Sequence, residues 1–219
     1  MADDTAIPAS PSASDYGAEA DRPLIPDTSD PIALLTQWLA EARETELNDS
    51  NAMSLATVDE TGLPDVRVVL LKGISEDGLS FFTNFNSTKG QQLAATPAAA
   101  LGFHWKSLRR QVRLRGTVSR LPEGESDAYF ASRAPLSRIS AIASDQSQPL
   151  PSRDAFLART QTLQAQYEND DAIPRPAHWG GFLLSPTTIE FWQDQAFRMH
   201  DRLKFDRDGD HWTRQRLYP

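Results

Sequence analysis

Four short stretches of this 219-residue chain place cations where an isolated chain has little use for them. In Arg67-Val68-Val69-Leu70-Leu71-Lys72 two cations bracket four apolar residues of a strand-like run, and an unpaired charge buried there would be costly. Each must meet water or an anion, the plain alternative being side chains that snorkel from a half-exposed strand. Arg67 and Lys72 would face opposite sides of a regular strand, so a shared site needs one of them at the strand's end. In the run NSTKGQQL, Ser87, Thr88 and Lys89 open a helix with free amides, hydroxyls and an ammonium, a phosphate cradle or an ordinary capped surface helix. Tyr129 and Arg133, four apart, share a helix face, with Ser137 in the first turn after Pro135; they suit a second phosphate, or form a solvated face with an aromatic anchor. In FRMHDRL, Arg198, His200 and Arg202 alternate, and on a strand all three would project from one face, where their repulsion asks for an anion or acidic neighbours. Trp192, ending the strand before them, is either core or an aromatic wall.

These residues need elements to hold them. Asp30 before Pro31 marks a helix start, and Leu34, Leu35, Trp38, Leu39 and Ala42 then make one apolar stripe. From Ala52 short apolar runs alternate with turn signals: AMSLATV, DETG, VRVVLLKG, SEDG, LSFFTN. The spacing predicts a helix from Ser87 to Ala95 and strands over Ala98–Trp105 and Gln111–Leu121. Helical patterning returns over Glu123–Arg133, again after Pro135, and from Ser152 to about Glu168. Strands close the chain at Gly181–Leu184, Thr188–Trp192, Arg198–Phe205 and His211–Leu217. Many short strands and few intervening helices give a mainly β class, a small antiparallel barrel with flanking helices.

Composition removes other classes. With no cysteine there are no disulfides, thiolate nucleophiles or cysteine-ligated clusters, and the four histidines lack metal-ligand spacing, so no metal site is expected. No Gly-rich dinucleotide fingerprint, phosphate loop or HExxH occurs. The net charge of −8 divides unevenly: residues 1–31 carry seven acids and one base, leaving a body at −2 with local basic clusters. A nucleic-acid surface is not expected, and neither a spanning segment nor a secretory leader is read, so a cytoplasmic protein without membrane attachment is expected. Residues 1–29 read as an acidic, disordered tail and 30–219 as one domain.

The stretches RVVLLK, FFTNFNSTKG, RRQVRLRG, YFASRAPLSRISAIASDQS, HWGGF, IEFWQ, FRMHDR and the terminal RLYP, in this order from Asp30 to Pro219, resemble the pyridoxamine 5'-phosphate oxidase family. The resemblance implies an FMN-binding split β-barrel that is a homodimer, with FMN at the interface held by residues of both chains. It implies FMN contacts at Arg67, Val68, Val69, Leu70, Leu71, Lys72, Phe82, Thr83, Thr88, Lys89, Gln111, Gln146, Ser147, Trp192 and Arg202, and substrate contacts at Lys72, Tyr129, Arg133, Ser137, Arg198 and His200, the last two also catalytic. The implied reaction is oxidation of pyridoxamine or pyridoxine 5'-phosphate by dioxygen to pyridoxal 5'-phosphate and peroxide, with ammonia from the amine, in vitamin B6 synthesis and salvage. Thr88 stands where the family commonly has Arg, Phe82 where Tyr is frequent, and Arg138 and Ser140 where Gln and Gly are usual. The acidic stretch around Tyr16 replaces a basic segment. A split-barrel flavin reductase would explain Arg67 and Lys89 but not the substrate set, and a non-catalytic FMN or pyridoxal-phosphate binder would bind without turnover.

Overall fold

The computed structural model describes residues 22–167 and 173–219. Helix α1 (Pro31–Thr45) starts where the Asp30 carboxylate accepts from the amides of Ile32 and Ala33, with Pro31 in the first turn. Its stripe of Leu34, Leu35, Trp38 and Ala42 is buried on the sheet, Trp38 standing edge-on to Phe191 at 5.1 Å. That burial, rather than helix propensity, fixes the helix to the barrel.

The strands are β1 (Ala52–Val58), β2 (Pro64–Leu70), β3 (Gly73–Ser75), β4 (Gly78–Asn84), β5 (Ala98–Trp105), β6 (Arg110–Arg120), β7 (Trp179–Gln193), β8 (Asp201–Asp208) and β9 (His211–Arg216). They form one antiparallel sheet in the order β2-β1-β5-β6-β7-β4-β3, with β8 added to β7 and β9 to β8. Alternation sends Leu55, Leu101, Leu114, Ile189 and Phe205 inward along one transverse row, and all five are buried. The remaining helices are α2 (Thr88–Ala95), α3 (Glu123–Ser132), α4 (Pro135–Ala143) and α5 (Arg153–Gln166). A second cluster of Phe130, Ile139, Ile173 and Trp179 packs α3 and α4 beside the end of β4. The result is a curled, mainly β antiparallel sheet with flanking helices, the class that the strand pattern predicts, in the split-barrel form that the resemblance implies.

Two expectations are corrected. Gly181–Leu184 and Thr188–Trp192 are parts of the single strand β7. Its other edge pairs first with β4 and then with β8, and Pro186 sits in the gap between these partners, where a missing amide costs no ladder bond. Opposite it, β6 bulges at Arg115/Gly116, and a Cβ on Gly116 would lie 2.0 Å from the Ser185 carbonyl oxygen. Nor does a strand run from Arg198: Ala196–Arg198 form a 3-10 turn, with Phe197 and Arg198 at φ 56° and 62°, and β8 begins only at Asp201.

Ahead of α1, residues 22–29 form no helix or strand, and Ile25 is buried in the core. Residues 1–21, including Tyr16, and Glu168 lie outside the described residues. Among the described residues no helix is long and apolar enough to cross a membrane.

Candidate functional site

Two groups of cations flank the end of β4, where Phe82 and Thr83 point to opposite faces of the strand. On the barrel side, Ser87 caps α2 by accepting from the Gly90 amide, which sets Thr88 and Lys89 in the first turn. Lys89 Nζ donates to Gln146 Oε1 at 2.7 Å, and the Thr83 hydroxyl reaches the same oxygen at 3.3 Å. Burial holds the Lys89 ammonium below the usual lysine range, the Arg67 charge pushes the same way, and Asp65 offsets part of it. Ser147, next to Gln146, takes a left-handed conformation at φ 72°.

Arg67 sits at the mouth of the barrel. Its guanidinium donates to the Leu55 carbonyl at 3.1 Å, the Thr57 hydroxyl at 2.6 Å and Gln92 Oε1 at 3.0 Å, and it pairs with Asp65. The cation that its strand position seemed to leave alone is therefore anchored and partly neutralised from within. Val69 and Leu71 face inward, while Val68 and Leu70 are exposed on the outer surface of β2, an edge strand whose free side offers backbone groups to a ligand. Lys72 follows the end of β2, which answers the facing problem of the sequence, and its ammonium lies 6.0 Å from the Tyr129 ring centre.

On the other side of β4 stands an aromatic stack. Phe82 lies 4.0 Å from Tyr129 and 5.5 Å from Trp179, centre to centre, and both pairs are close to parallel. Arg133, the residue that ends α3, lays its guanidinium over Trp179 at 4.8 Å. Burial lowers its basicity, and its Nη1 is buried with no hydrogen-bond partner among the described residues. Ser137 lies in the first turn of α4, its amide donating to the Ala134 carbonyl.

The remaining residues assemble elsewhere. Gln111, Trp192 and Arg202 are direct partners across β6, β7 and β8, so they form one row on the outer face of the sheet. Arg67, paired with Leu55, belongs to the inner face. Four strand spacings of about 4.8 Å, roughly 19 Å, separate β2 from β7. Within one chain these sets do not share a pocket.

The alternating-strand geometry of Arg198, His200 and Arg202 is lost, but acidic neighbours answer the repulsion expected among them. Arg202 is forked onto Glu190, whose carboxylate also receives Arg113, and His200 Nδ1 lies 3.1 Å from Asp194. Of the anion or acidic neighbours that the repulsion argument asked for, Arg202 and His200 have the acidic neighbours. Arg198, exposed in its turn, makes no ion pair or hydrogen bond among the described residues. His200 packs on Trp192 at 4.5 Å, and Trp192, half-buried on the outer face, is not core.

Sequence reasoning missed Thr57, Asp65 and Gln92 around Arg67, Trp179 in the stack, and the acids Asp194 and Glu190. One signal was present: Thr57 interrupts the inward column Met53, Leu55, Thr57 of β1 and is only 2% exposed.

A family model described as pyridoxamine 5'-phosphate oxidase matches residues 39–167, and one described as the pyridoxine 5'-phosphate oxidase C-terminal dimerisation region matches residues 179–219. A pyridoxine/pyridoxamine 5'-phosphate oxidase of Hyphomonas neptunium is 64% identical over 97% of this chain and 98% of its own. One of Caulobacter vibrioides is 54% identical over 100% of this chain and 99% of its own. Among solved structures, PhzG from Burkholderia lata 383, in complex with tetrahydrophenazine-1-carboxylic acid, superposes with a TM-score of 0.82 at 33% identity, covering 88% of this chain and 94% of its own. A pyridoxamine 5'-phosphate oxidase-related, FMN binding protein from Nostoc punctiforme PCC 73102 shares the fold, with a TM-score of 0.70 at 20% identity over 87% of this chain and 98% of its own.

Proposed function

The chain belongs to the pyridoxamine 5'-phosphate oxidase family, and on that footing we propose how its own residues divide the work. The activity is oxidation of pyridoxamine or pyridoxine 5'-phosphate, a step of vitamin B6 salvage. The cofactor is FMN, which when bound accepts hydride from the substrate and passes the electrons on to dioxygen.

The donor set fits that cofactor. Lys89, Thr88 and the open amides of α2 take the FMN phosphate, with Arg67 as a fixed charge behind them. Backbone groups of the free β2 edge from Val68 to Leu71, together with Lys72, Phe82, Thr83, Gln146 and Ser147, line its length. Gln111, Trp192 and Arg202 come from the second copy of a homodimer, since one chain holds them on the wrong face and too far away. Lys72, Tyr129, Arg133 and Ser137 hold the substrate phosphate. Arg198 and His200 fix the reacting end of the pyridine ring, and orientation against the flavin plane supplies much of the rate. The cytoplasm, where the substrate's phosphorylated forms would be retained, is the proposed setting.

The observation that carries this reading is the state of Lys89 and Arg133. Both are cations whose charge burial disfavours, and Arg133 keeps an orphaned buried N–H. Each gains most from a phosphate ester, and there is one for each. The test is to incubate the purified protein with FMN, pyridoxine 5'-phosphate and oxygen. Pyridoxal 5'-phosphate and peroxide are expected in equal amounts; bound flavin with neither product would reject the oxidase.

A further inference from the structure

The turn that carries Arg198 and His200 has two consecutive residues, Phe197 and Arg198, in left-handed backbone, a conformation that costs L-residues roughly 1–2 kcal/mol each. Something outside the turn must hold it. At its start, the Asp194 carboxylate gathers three groups: Arg22 Nη1 at 2.7 Å and Arg109 Nη1 at 3.1 Å on Oδ2, and His200 Nδ1 at 3.1 Å on Oδ1. Next to it, Gln195 donates its amide to His200 Nδ1 at 3.2 Å and its side-chain NH2 to the Arg22 carbonyl at 3.0 Å. At the far end, Asp201 accepts from the Ile25 amide at 2.8 Å and pairs with Arg216, which also donates to the Ile25 carbonyl. Residues 22–25 thus bracket the turn at both ends.

His200 Nδ1 has both an acceptor and a donor within reach. With its proton on Nδ1 it donates to Asp194; without it, it accepts from Gln195. In either case Nε2 is the nitrogen left for a ligand. We infer that Asp194 is a positioning residue for the oxidation, orienting the His200 ring and tying the N-terminal strap through Arg22 to the substrate-bearing turn. The inference rests on the reading that His200 meets the substrate.

The test uses the FMN-loaded dimer with pyridoxine 5'-phosphate. Asp194→Ala is expected to lower kcat/KM on the order of tenfold or more, since a small misplacement of a reacting group is enough for that. FMN affinity should stay within about twofold, because Asp194 touches none of the proposed FMN residues. Asp194→Asn, whose one acceptor oxygen can keep the Nδ1 contact or the Arg22 contact but not both, should restore part of the loss. Arg22→Ala should lower kcat/KM by a smaller factor, and Arg22→Ala with Asp194→Ala should be no worse than Asp194→Ala alone, as expected for groups acting through one contact. Activity of Asp194→Ala within twofold of the parent, parallel loss of FMN and activity, or additive losses in the double variant would each overturn the inference. His200→Ala separates the two levels: if it leaves kcat/KM unchanged the underlying reading fails, whereas loss there without loss in Asp194→Ala removes only the role of Asp194.

Discussion

At the level of single residues, the protein separates cations that are already answered from cations that wait for a ligand. Arg67 and Arg202 have acidic partners, while Arg198 has no ion pair among the described residues. Arg198→Ala should therefore lower kcat/KM for pyridoxine 5'-phosphate by about 100-fold, the scale of losing a charge-assisted contact of roughly 3 kcal/mol, with FMN retention unchanged by fluorescence titration. Equal loss of both would contradict its assignment. Lys89 gives a pH signature. Burial lowers its pKa in the ligand-free fold, so that fold binds fewer protons than the unfolded chain between the lowered and the ordinary lysine value, and its stability rises with pH across that window. FMN binding must restore the proton there, so FMN affinity should fall over the same window. Lys89→Gln should bind more weakly and lose that slope; an unchanged slope in calorimetric titrations at several pH values would exclude Lys89 from the phosphate site. The Ser87 cap was legible because capping is decided within four residues. The partners of Arg67 were not, because Thr57 and Gln92 lie 10 and 25 residues away and meet it only through strand pairing and a helix laid across the barrel mouth.

Among the elements, those whose hydrophobic period and end signals agree could be read directly. Asp30 and Pro31 announced α1, and the strand-like runs over Ala98–Trp105 and Gln111–Leu121 announced β5 and β6. What failed was punctuation. Pro186 looks like a strand break, yet the sheet gives it a stretch of edge with no partner; FRMHDRL alternates like a strand, yet its contacts to Asp194 and the strap hold a turn instead. The Gly116 bulge opposite Pro186 is the tightest of these joints. Gly116→Ala should destabilise the fold by about 1–3 kcal/mol in urea unfolding, because the added methyl meets the rigid Ser185 carbonyl rather than a side chain that could move. An unchanged unfolding midpoint would mean that the bulge relaxes freely. Asp30→Ala, which only strips a cap, should cost nearer 1 kcal/mol.

For the whole molecule, the proposed division of residues leaves one chain with an incomplete site. The outer sheet face leaves Val66 and Val68 64% and 68% exposed, in the same cross-strand rows as Arg115 and Arg113 three strands away, an apolar edge that a second copy would cover. Val66→Glu should shift the protein toward monomer by sedimentation and release FMN with it, since Gln111, Trp192 and Arg202 are then withdrawn from the partner's site. A stable, yellow dimer would show that this face lies outside the interface. Composition offered no sign of such a dependence, and its support is the placement of the cations on opposite faces of the sheet.

Strand β7 carries Trp179 at its first position, under the aromatic stack, and Trp192 near its last, in the row that the proposal gives to the other copy. On that proposal it is a ruler laid between two catalytic centres. Losing or gaining one residue between Thr188 and Trp192 would turn the indole to the barrel interior and strip the neighbouring centre of its wall. Length variation among relatives should therefore be absent from this span and gather instead at hairpin tips such as Asp208-Gly209-Asp210, where an extra residue shifts no face of the sheet.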